Sequence, residues 1–468
     1  MIELDAVPEE PIGALRTALG PSRTISPQDD SWDVVRRPWR RHVDQRPALV
    51  VVPSDADDVI AAVRAAAAAG MRVTAQTTGH NPVPLGDLSR TLMVRTDQLR
   101  DIEVDVAARR ARVGSGVRWG EVLERVAPYG LVGLAGTSRG VGLTGYTLGG
   151  GIGWFARSHG LASDSVAAID IVTADGVLRT VDEQRDPELF WAVRGGGGSF
   201  GIVTAVDIRL HEVSDVYAGS AFWPVDDAPR IFELWRNWSR SLPSSVTSIL
   251  RVLRIPTDAP APEHLCGRSF VMVEAAIQET DERSRELLTD VMAAGPEFDT
   301  FVRMSVTGLS AVHMDPQDPI SGVGDGLLVR DLSQEQFAQL ASVATSPDAA
   351  GVRSIEIRLL GGALTPSGAQ SAALDGLDGA YTIFAVGAAE SAAERAQIAS
   401  AVGQLIGVAE SQRSTHQYIN FIERTASPEE LFGSALPRLM RVKEAFDPND
   451  VIHANHPVPV DSAYARYV

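Results

Sequence analysis

Residues 48–52, Ala-Leu-Val-Val-Val, form a short apolar run closed by Pro53, the pattern of a buried strand. Ser54 then leads into residues 55–69, a helical stretch with an acidic first turn that ends at Gly70. Residues 72–75 give the next strand, followed by a polar loop carrying Gly79 and His80, so the chain opens as a βαβ-like unit. Further strands are predicted at 92–95, 102–105 and 110–113, and a helix at 119–126. Residues 168–173 and 177–181 flank Ala174-Asp175-Gly176, and Asp-Gly between two β-rich runs spells a hairpin.

Near His211 the texture changes. From 216 to about 408, β-rich segments at 246–255, 269–276, 352–360 and 380–386 alternate with helical ones at 280–293, 333–343 and 392–406. That pattern predicts an antiparallel sheet carrying helices, a separate α+β unit. From Gln417 onward the chain returns to glycine, aromatic and Asn/Pro-rich loops around one predicted helix, 428–445, and no internal repeat is visible.

A length of 468 residues suggests two or three domain-sized units, or two interleaved ones, with 44% hydrophobic residues enough for a full core. Arg and Lys number 42 against 60 Asp and Glu, a net charge of −18 that repels nucleic acid and anionic membranes. Cys266 is the only cysteine, which excludes an internal disulfide, a Cys-based zinc site and an iron–sulfur cluster. Lys443 is the only lysine and falls in the C-terminal helical segment, which argues against Schiff-base chemistry. The acidic start, residues 1–5, lacks the basic and apolar regions of a signal peptide, and the apolar run 65–69 is too short to span a membrane. A cytoplasmic protein is expected. His416, His453 and His456 lack metal-ligand spacing with carboxylates, so no metal is expected.

The chemistry concentrates in glycine. Residues 136–154 hold eight glycines in nineteen positions, and a second cluster runs from Gly195 to Gly201. Bare backbone at that density suits close approach of amide N–H groups to an anionic or planar ligand. Residues 140–145 match G-x-G-x-x-G, but a Gly/Ser/Arg loop precedes them and more glycine follows, a poor context for a Rossmann site.

Pro53-Ser54-Asp55 before a helix, Thr78-Gly79-His80-Asn81, residues 148–154 (LGGGIGW), residues 186–198 (DPELFWAVRGGGG), Tyr418-Ile419-Asn420-Phe421 and residues 446–452 (FDPNDVI) occur in a telling order and spacing. Together they resemble the berberine-bridge-enzyme-like branch of the vanillyl-alcohol-oxidase/p-cresol-methylhydroxylase (PCMH-type) FAD superfamily. The resemblance implies an α+β fold: a two-part PCMH-type FAD-binding domain, residues 1–212 and 413–468, with an inserted α+β substrate domain on an antiparallel sheet, residues 213–412. It implies FAD as cofactor, bonded covalently to His80, whose neutral imidazole would be the nucleophile toward the flavin 8α carbon. It implies a cradle from Thr77, Thr78, Gly79, His80 and Asn81, from Gly136, Ser138, Gly142, Gly145, Gly149, Gly150 and Gly153, and from Gly201 and Val203. Tyr418, Asn420 and Asn455 would meet flavin edges or fix the closing loop.

Three positions depart from that pattern. Ser138 stands where many members carry a second, cysteine link to the flavin, so a single link is expected. Thr77-Thr78 replace more glycine-rich residues, and Phe421 stands where many oxidases have a tyrosine base. Period-two alternation in 354–362 places Ser354, Glu356 and Arg358 on one strand face, which in the resembled family looks toward the flavin. Glu356 is then the candidate general base, its pKa raised by a partly dry cavity, with Arg358 pairing to it or holding substrate oxygens. The alternative is a solvent-facing Glu/Arg pair on an edge strand. Tyr146 is a further catalytic candidate near the ring, against a plain packing role.

The expected function is an FAD-linked oxidase that passes hydride from a small organic substrate to flavin N5, with O2 as reoxidant. The substrate would be a secondary-metabolite intermediate, and the enzyme a monomer or homodimer. Alternatives are an oxygenase of the same fold acting on a polyketide-like substrate, and a flavin-fold relic without activity.

Overall fold

In the computed structural model, which describes residues 9–460, the run Leu49–Val51 is fully inside a four-stranded sheet. Its order is Thr24–Ile25, Leu49–Val51, Thr91–Arg95, Arg72–Gln76, and the last three strands are parallel. The helix Ala56–Ala68 makes the crossover and buries Val59, Ala62, Val63 and Ala66 against the sheet. Its N-cap is Asp55, whose carboxylate accepts the Asp58 N–H, while Ser54 Oγ donates to Asp58. The acidic start at residues 1–5 lies outside the described residues.

The next sheet is antiparallel, in the order Ile102–Asp105, Arg110–Gly114, Ile202–Arg209, Val166–Val172, Leu178–Val181. The Asp-Gly hairpin forms as the pattern predicts, with Ile169 opposite Val181. Its central strand, Ile202–Arg209, emerges directly from the second glycine cluster.

Eight antiparallel strands make the large sheet. Along it run Phe298–Asp299, Asp215–Pro224, Ser269–Ile277, Val246–Arg254, Val352–Leu359, Tyr381–Ala388 and Gly322–Val329, and Val302–Ser305 pairs with Asp215–Pro224. Helices Ala228–Ser239, Gln334–Ala344 and Ala392–Ala409 bury Trp235, Phe337, Leu340 and Leu405 against one face. The opposite face carries Arg251, Glu274, Ser354, Glu356 and Arg358, all buried. Gly322–Val329 was not legible as a strand because of Gly324 and Gly326. A Cβ at Gly326 would lie 2.8 Å from the Phe421 Cβ, so the gap in the pattern marks a close crossing of chains.

Two predicted helices are broken. Residues 280–293 split at Leu288 into Asp281–Leu287 and Thr289–Ala293. Residues 428–445 split at Gly433, whose φ of +50° ends Pro428–Phe432 before Leu436–Phe446 begins. The C-terminal segment returns to the first sheet, where Val73 N–H donates to Val451 O (2.7 Å) and His453 N–H to Val73 O (2.8 Å). Lys443, the one lysine, is buried there, donating to Ser199 O (3.0 Å), Ile452 O (2.9 Å) and Asp447 Oδ2 (2.5 Å). Among the described residues, no helix is long and apolar enough to cross a membrane.

Candidate functional site

His80 sits in a loop that its neighbours hold rigidly. The Thr77 hydroxyl donates to Ser115 O (2.8 Å) and meets Thr96 Oγ1 (2.7 Å), so it fixes the loop. Thr78 Oγ1 lies 2.8 Å from His80 Nδ1, and the Trp39 indole stacks on the imidazole at 4.4 Å and 18°. The Trp39 backbone N–H donates in turn to Thr78 O (2.8 Å). Burial, with Arg40 and Arg118 nearby, brings the His80 pKa down to about 3, so the ring is neutral at neutral pH. Gly79 has φ +73°, a conformation that disfavours a side chain. Asn81 Nδ2 donates to Ile422 O (2.9 Å) and Ile419 O (3.3 Å), and Asn455 Nδ2 to Asn81 O (3.3 Å), which ties the loop to the C-terminal segment.

That segment also grips the first glycine cluster. Asn420 Nδ2 donates to Tyr146 O (2.9 Å) and Tyr418 Oη (3.0 Å), and Tyr418 Oη accepts the Ile152 N–H (3.0 Å). Asn420 therefore fixes this loop, as Asn455 fixes the other. Several glycines have protein causes. A Cβ on Gly149 would strike the Asn420 side chain, and one on Gly153 the Ala135 carbonyl. Gly150 and Gly151, at φ +104° and +85°, turn the chain against Leu374 and Tyr146, and a Cβ at Gly136 or Gly142 would press on Tyr146 or Thr77. Only Gly145, in the short helix Leu143–Leu148, faces open space among those expected to line the cradle. Packing within the protein is thus by itself enough to require most of these glycines. Gly201 is likewise bare because Ile171 and Val172 O leave no room, and the Val203 side chain lies in the core. Ser138 Oγ only accepts from Gly140 N–H (3.4 Å), while Cys266 lies against the carbonyls of Ala259 (3.6 Å) and Ala261 (3.5 Å).

Around this cradle, buried polar atoms lack protein partners: Tyr146 Oη, Thr144 Oγ1, Thr147 Oγ1, Asn81 Oδ1, Ser115 Oγ and Trp154 Nε1. Buried polar groups are nearly always hydrogen-bonded, so such a concentration fits a polar planar cofactor seated among them. Burial holds the Tyr146 hydroxyl well above its ordinary pKa and raises that of Tyr418, so both are protonated.

Glu356 and Arg358 are paired and buried, which overturns the alternative of a solvent-facing pair on an edge strand. Their strand, Val352–Leu359, lies between Val246–Arg254 and Tyr381–Ala388, so it is no edge strand, and the pair is buried. Glu356 accepts from Arg358 Nη2 at 3.1 Å through both oxygens and faces His313 Nε2 at 3.1 Å. Burial alone would raise its carboxyl, but Arg358, His313 and Arg251 outweigh burial and bring it down to about 2. The raised-pKa general base is therefore corrected: Glu356 is an ionised anchor. His313, unmarked by any periodicity, is the group the strand pattern could not reveal. Burial and Arg251 press its pKa down, yet Glu274, at 2.5 Å from Nδ1, and Asp315 raise it to about 9. Arg251 Nε donates to Ser354 Oγ (2.8 Å) and Nη1 meets Glu274 (3.3 Å). Asp315 Oδ2 accepts from Thr137 Oγ1 (2.9 Å), beside Gly136 and Ser138. Arg358 stands 5.0 Å over the Phe421 ring. Among the described residues, no group of three or more His, Cys, Asp or Glu is placed to hold a metal ion.

Fold and cradle define a class of FAD-binding proteins, and comparison places the chain within it. Residues 47–182 match the FAD binding domain family, and residues 417–459 the berberine and berberine-like family. The chain thus carries the FAD-binding and the berberine-like domains, and its relatives are FAD-linked oxidoreductases. It is 36% identical to (R)-6-hydroxynicotine oxidase of Paenarthrobacter nicotinovorans over 212 residues, a match spanning 45% of each chain. It is 25% identical to the FAD-linked oxidoreductase sorD of Penicillium rubens, over 94% of this chain and 95% of that one. An FAD-dependent monooxygenase of Fusarium proliferatum is 34% identical over 181 residues, 38% of this chain and 35% of its own. The solved structure of Physcomitrella patens BBE-like 1 has the same fold, with TM-score 0.83 and 21% identity over 96% of this chain and 99% of that one.

Proposed function

We propose that this protein is an FAD-linked oxidase whose flavin is attached through one residue, His80. The observation that carries the reading is the His80 imidazole, neutral and clamped between Trp39 and Thr78 beside a cradle of unpartnered polar groups. A neutral, oriented imidazole has the free lone pair that attachment requires. Ser138 cannot supply a second link, and Cys266 lies elsewhere. In this reading residues 1–212 and 413–468 hold the flavin, and 213–412 cover it. Bound there, the flavin supplies hydride acceptance at N5 and reoxidation by O2. The chain's own groups orient and insulate: Arg358 and protonated Tyr146 offer donors, and ionised Glu356 holds Arg358. Because Phe421 has no acid–base group, the substrate proton leaves to solvent. The substrate is a small organic molecule of secondary metabolism, oxidised in the cytoplasm.

An oxygenase is the second reading, favoured by the likeness to a monooxygenase and by Phe421. Holoenzyme screened for oxygen uptake against a panel of small organic molecules separates the two. For a turned-over substrate, one H2O2 per product with no 18O retained from labelled O2 fits the oxidase. Retained label contradicts it.

A further inference from the structure

The fold treats the two ring nitrogens of His80 differently. Nδ1 lies 2.8 Å from Thr78 Oγ1, so a hydroxyl fills the direction in which that nitrogen points. Nε2 has no hydrogen-bond partner among the described residues, and His80 is only half-buried, so the Nε2 edge stays open. Trp39 covers one face of the ring at 4.4 Å and 18° and holds its plane. The loop gives the pair little freedom. Thr78 O accepts from the Trp39 backbone N–H (2.8 Å) and His80 O from Arg40 Nε (3.3 Å). Between them, a Cβ on Gly79 would lie 2.6 Å from Pro38 Cβ. Thr78 Oγ1 faces the first glycine cluster, 3.6 Å from where a Cβ on Gly142 would stand.

A neutral imidazole carries one N–H and one in-plane lone pair, and the hydrogen bond at one nitrogen sets which is which. With Nδ1–H donating to the Thr78 hydroxyl oxygen, Nε2 holds its lone pair at the open edge. The reverse tautomer would tie the lone pair to Thr78 and leave an N–H at that edge, with no free nucleophile on the ring. A hydroxyl both donates and accepts, so Thr78 can serve Nδ1 before and after Nε2 reacts. Thr78 is also one of the two residues that depart from the glycine-rich pattern. A glycine there would offer no hydroxyl.

We propose that Thr78 is a positioning residue that makes Nε2, rather than Nδ1, the atom of His80 joined to the flavin. This rests on the covalent reading given above. One bond forms, between Nε2 and the 8α carbon, and one C–H bond of that carbon breaks. Its electron pair passes to O2, which leaves as H2O2 with that hydrogen and the Nδ1 proton. Nδ1 is left with a lone pair, to which the Thr78 hydroxyl now donates. The test is long-range proton–carbon NMR from the 8α methylene of the flavin-bearing peptide, isolated from acid-denatured holoenzyme. Correlations to imidazole Cε1 and Cδ2 are expected and mark an Nε2 bond. Correlations to Cε1 and Cγ mark an Nδ1 bond, which overturns the inference and leaves the flavoenzyme reading standing. Thr78→Val keeps the shape and loses the hydroxyl, so the share of its bound flavin attached through Nε2 should fall at least about threefold. Thr78→Ser should restore it. A wild-type share in Thr78→Val also overturns the inference, and if that variant fails to fold, the wild-type spectrum still decides. Flavin-loaded wild type with no flavin attached to His80 contradicts both the inference and the covalent reading beneath it.

Discussion

Three cations and three carboxylates meet on the inner face of the large sheet: Arg251, His313 and Arg358 with Glu274, Asp315 and Glu356. His313 touches all three carboxylates, so removing it leaves Asp315 without a cation among the described residues and takes one of two partners from both Glu274 and Glu356. Taking one partner from a buried ion pair costs about 3–5 kcal/mol, so His313→Gln should lower the melting temperature sharply at pH 6. The pH dependence identifies the cause. His313 is raised to about 9 in the fold from 6.5, so its contribution is complete below pH 6.5 and disappears as pH climbs through about 9. The gap between wild type and His313→Gln should therefore narrow from pH 6 to pH 10, and a constant gap would mean that the histidine only fills space. Alternation along 354–358 shows that Glu356 and Arg358 share a face, but what that face meets depends on a histidine 43 positions earlier. Non-local partners of this kind leave no periodic trace in a sequence, and they reverse the direction of the Glu356 pKa.

At the level of elements, the glycine loops divide by what occupies the space beside them. A methyl at Gly153 would run into the Ala135 carbonyl, while a methyl at Gly145 meets nothing. Gly153→Ala should therefore destabilise the protein by about 1–3 kcal/mol, measured by denaturant unfolding. Gly145→Ala should leave unfolding unchanged or stabilise it slightly, since alanine favours the helix Leu143–Leu148, yet should lower flavin content if the open space is the cradle. Full flavin loading in Gly145→Ala would move the cradle elsewhere. Elements with strong local signals were legible: the helix Ala56–Ala68 by its cap, the hairpin Val166–Val181 by Asp-Gly, and the helix Trp119–Val126 to the residue. Gly322–Val329 was hidden because its glycines answer to Phe421 and Ala385, which are distant in sequence. Gly433 broke a predicted helix for a local reason that the apolar pattern outweighed.

Across the whole molecule, several histidines are held neutral. Burial, reinforced at His211 by His159 and Arg109, lowers His211 and His456 to about 4. The unfolded chain takes up those protons near pH 6.5 and the native one does not, so stability falls as pH drops from 6.5 toward 4. With His313 acting in the opposite sense above neutrality, thermal stability should peak near neutral pH, and His211→Gln should make the acid limb shallower. A melting temperature flat between pH 7 and 4.5 would contradict this. The glycine clusters, the loop at His80 and the returning C-terminal segment together announced the flavin fold, because those motifs are local and ordered along the chain. The buried charge cluster on the inner face of the large sheet was not legible, since Arg251, Glu274, His313 and Arg358 come from elements far apart in sequence. The proposed bond between His80 and the cofactor is open to direct measurement. Denatured in acid, purified protein should carry its yellow colour into the pellet, and digestion should yield one flavin-bearing peptide containing His80, absent from His80→Ala. Flavin released wholly into the supernatant, or retained by His80→Ala, would contradict it.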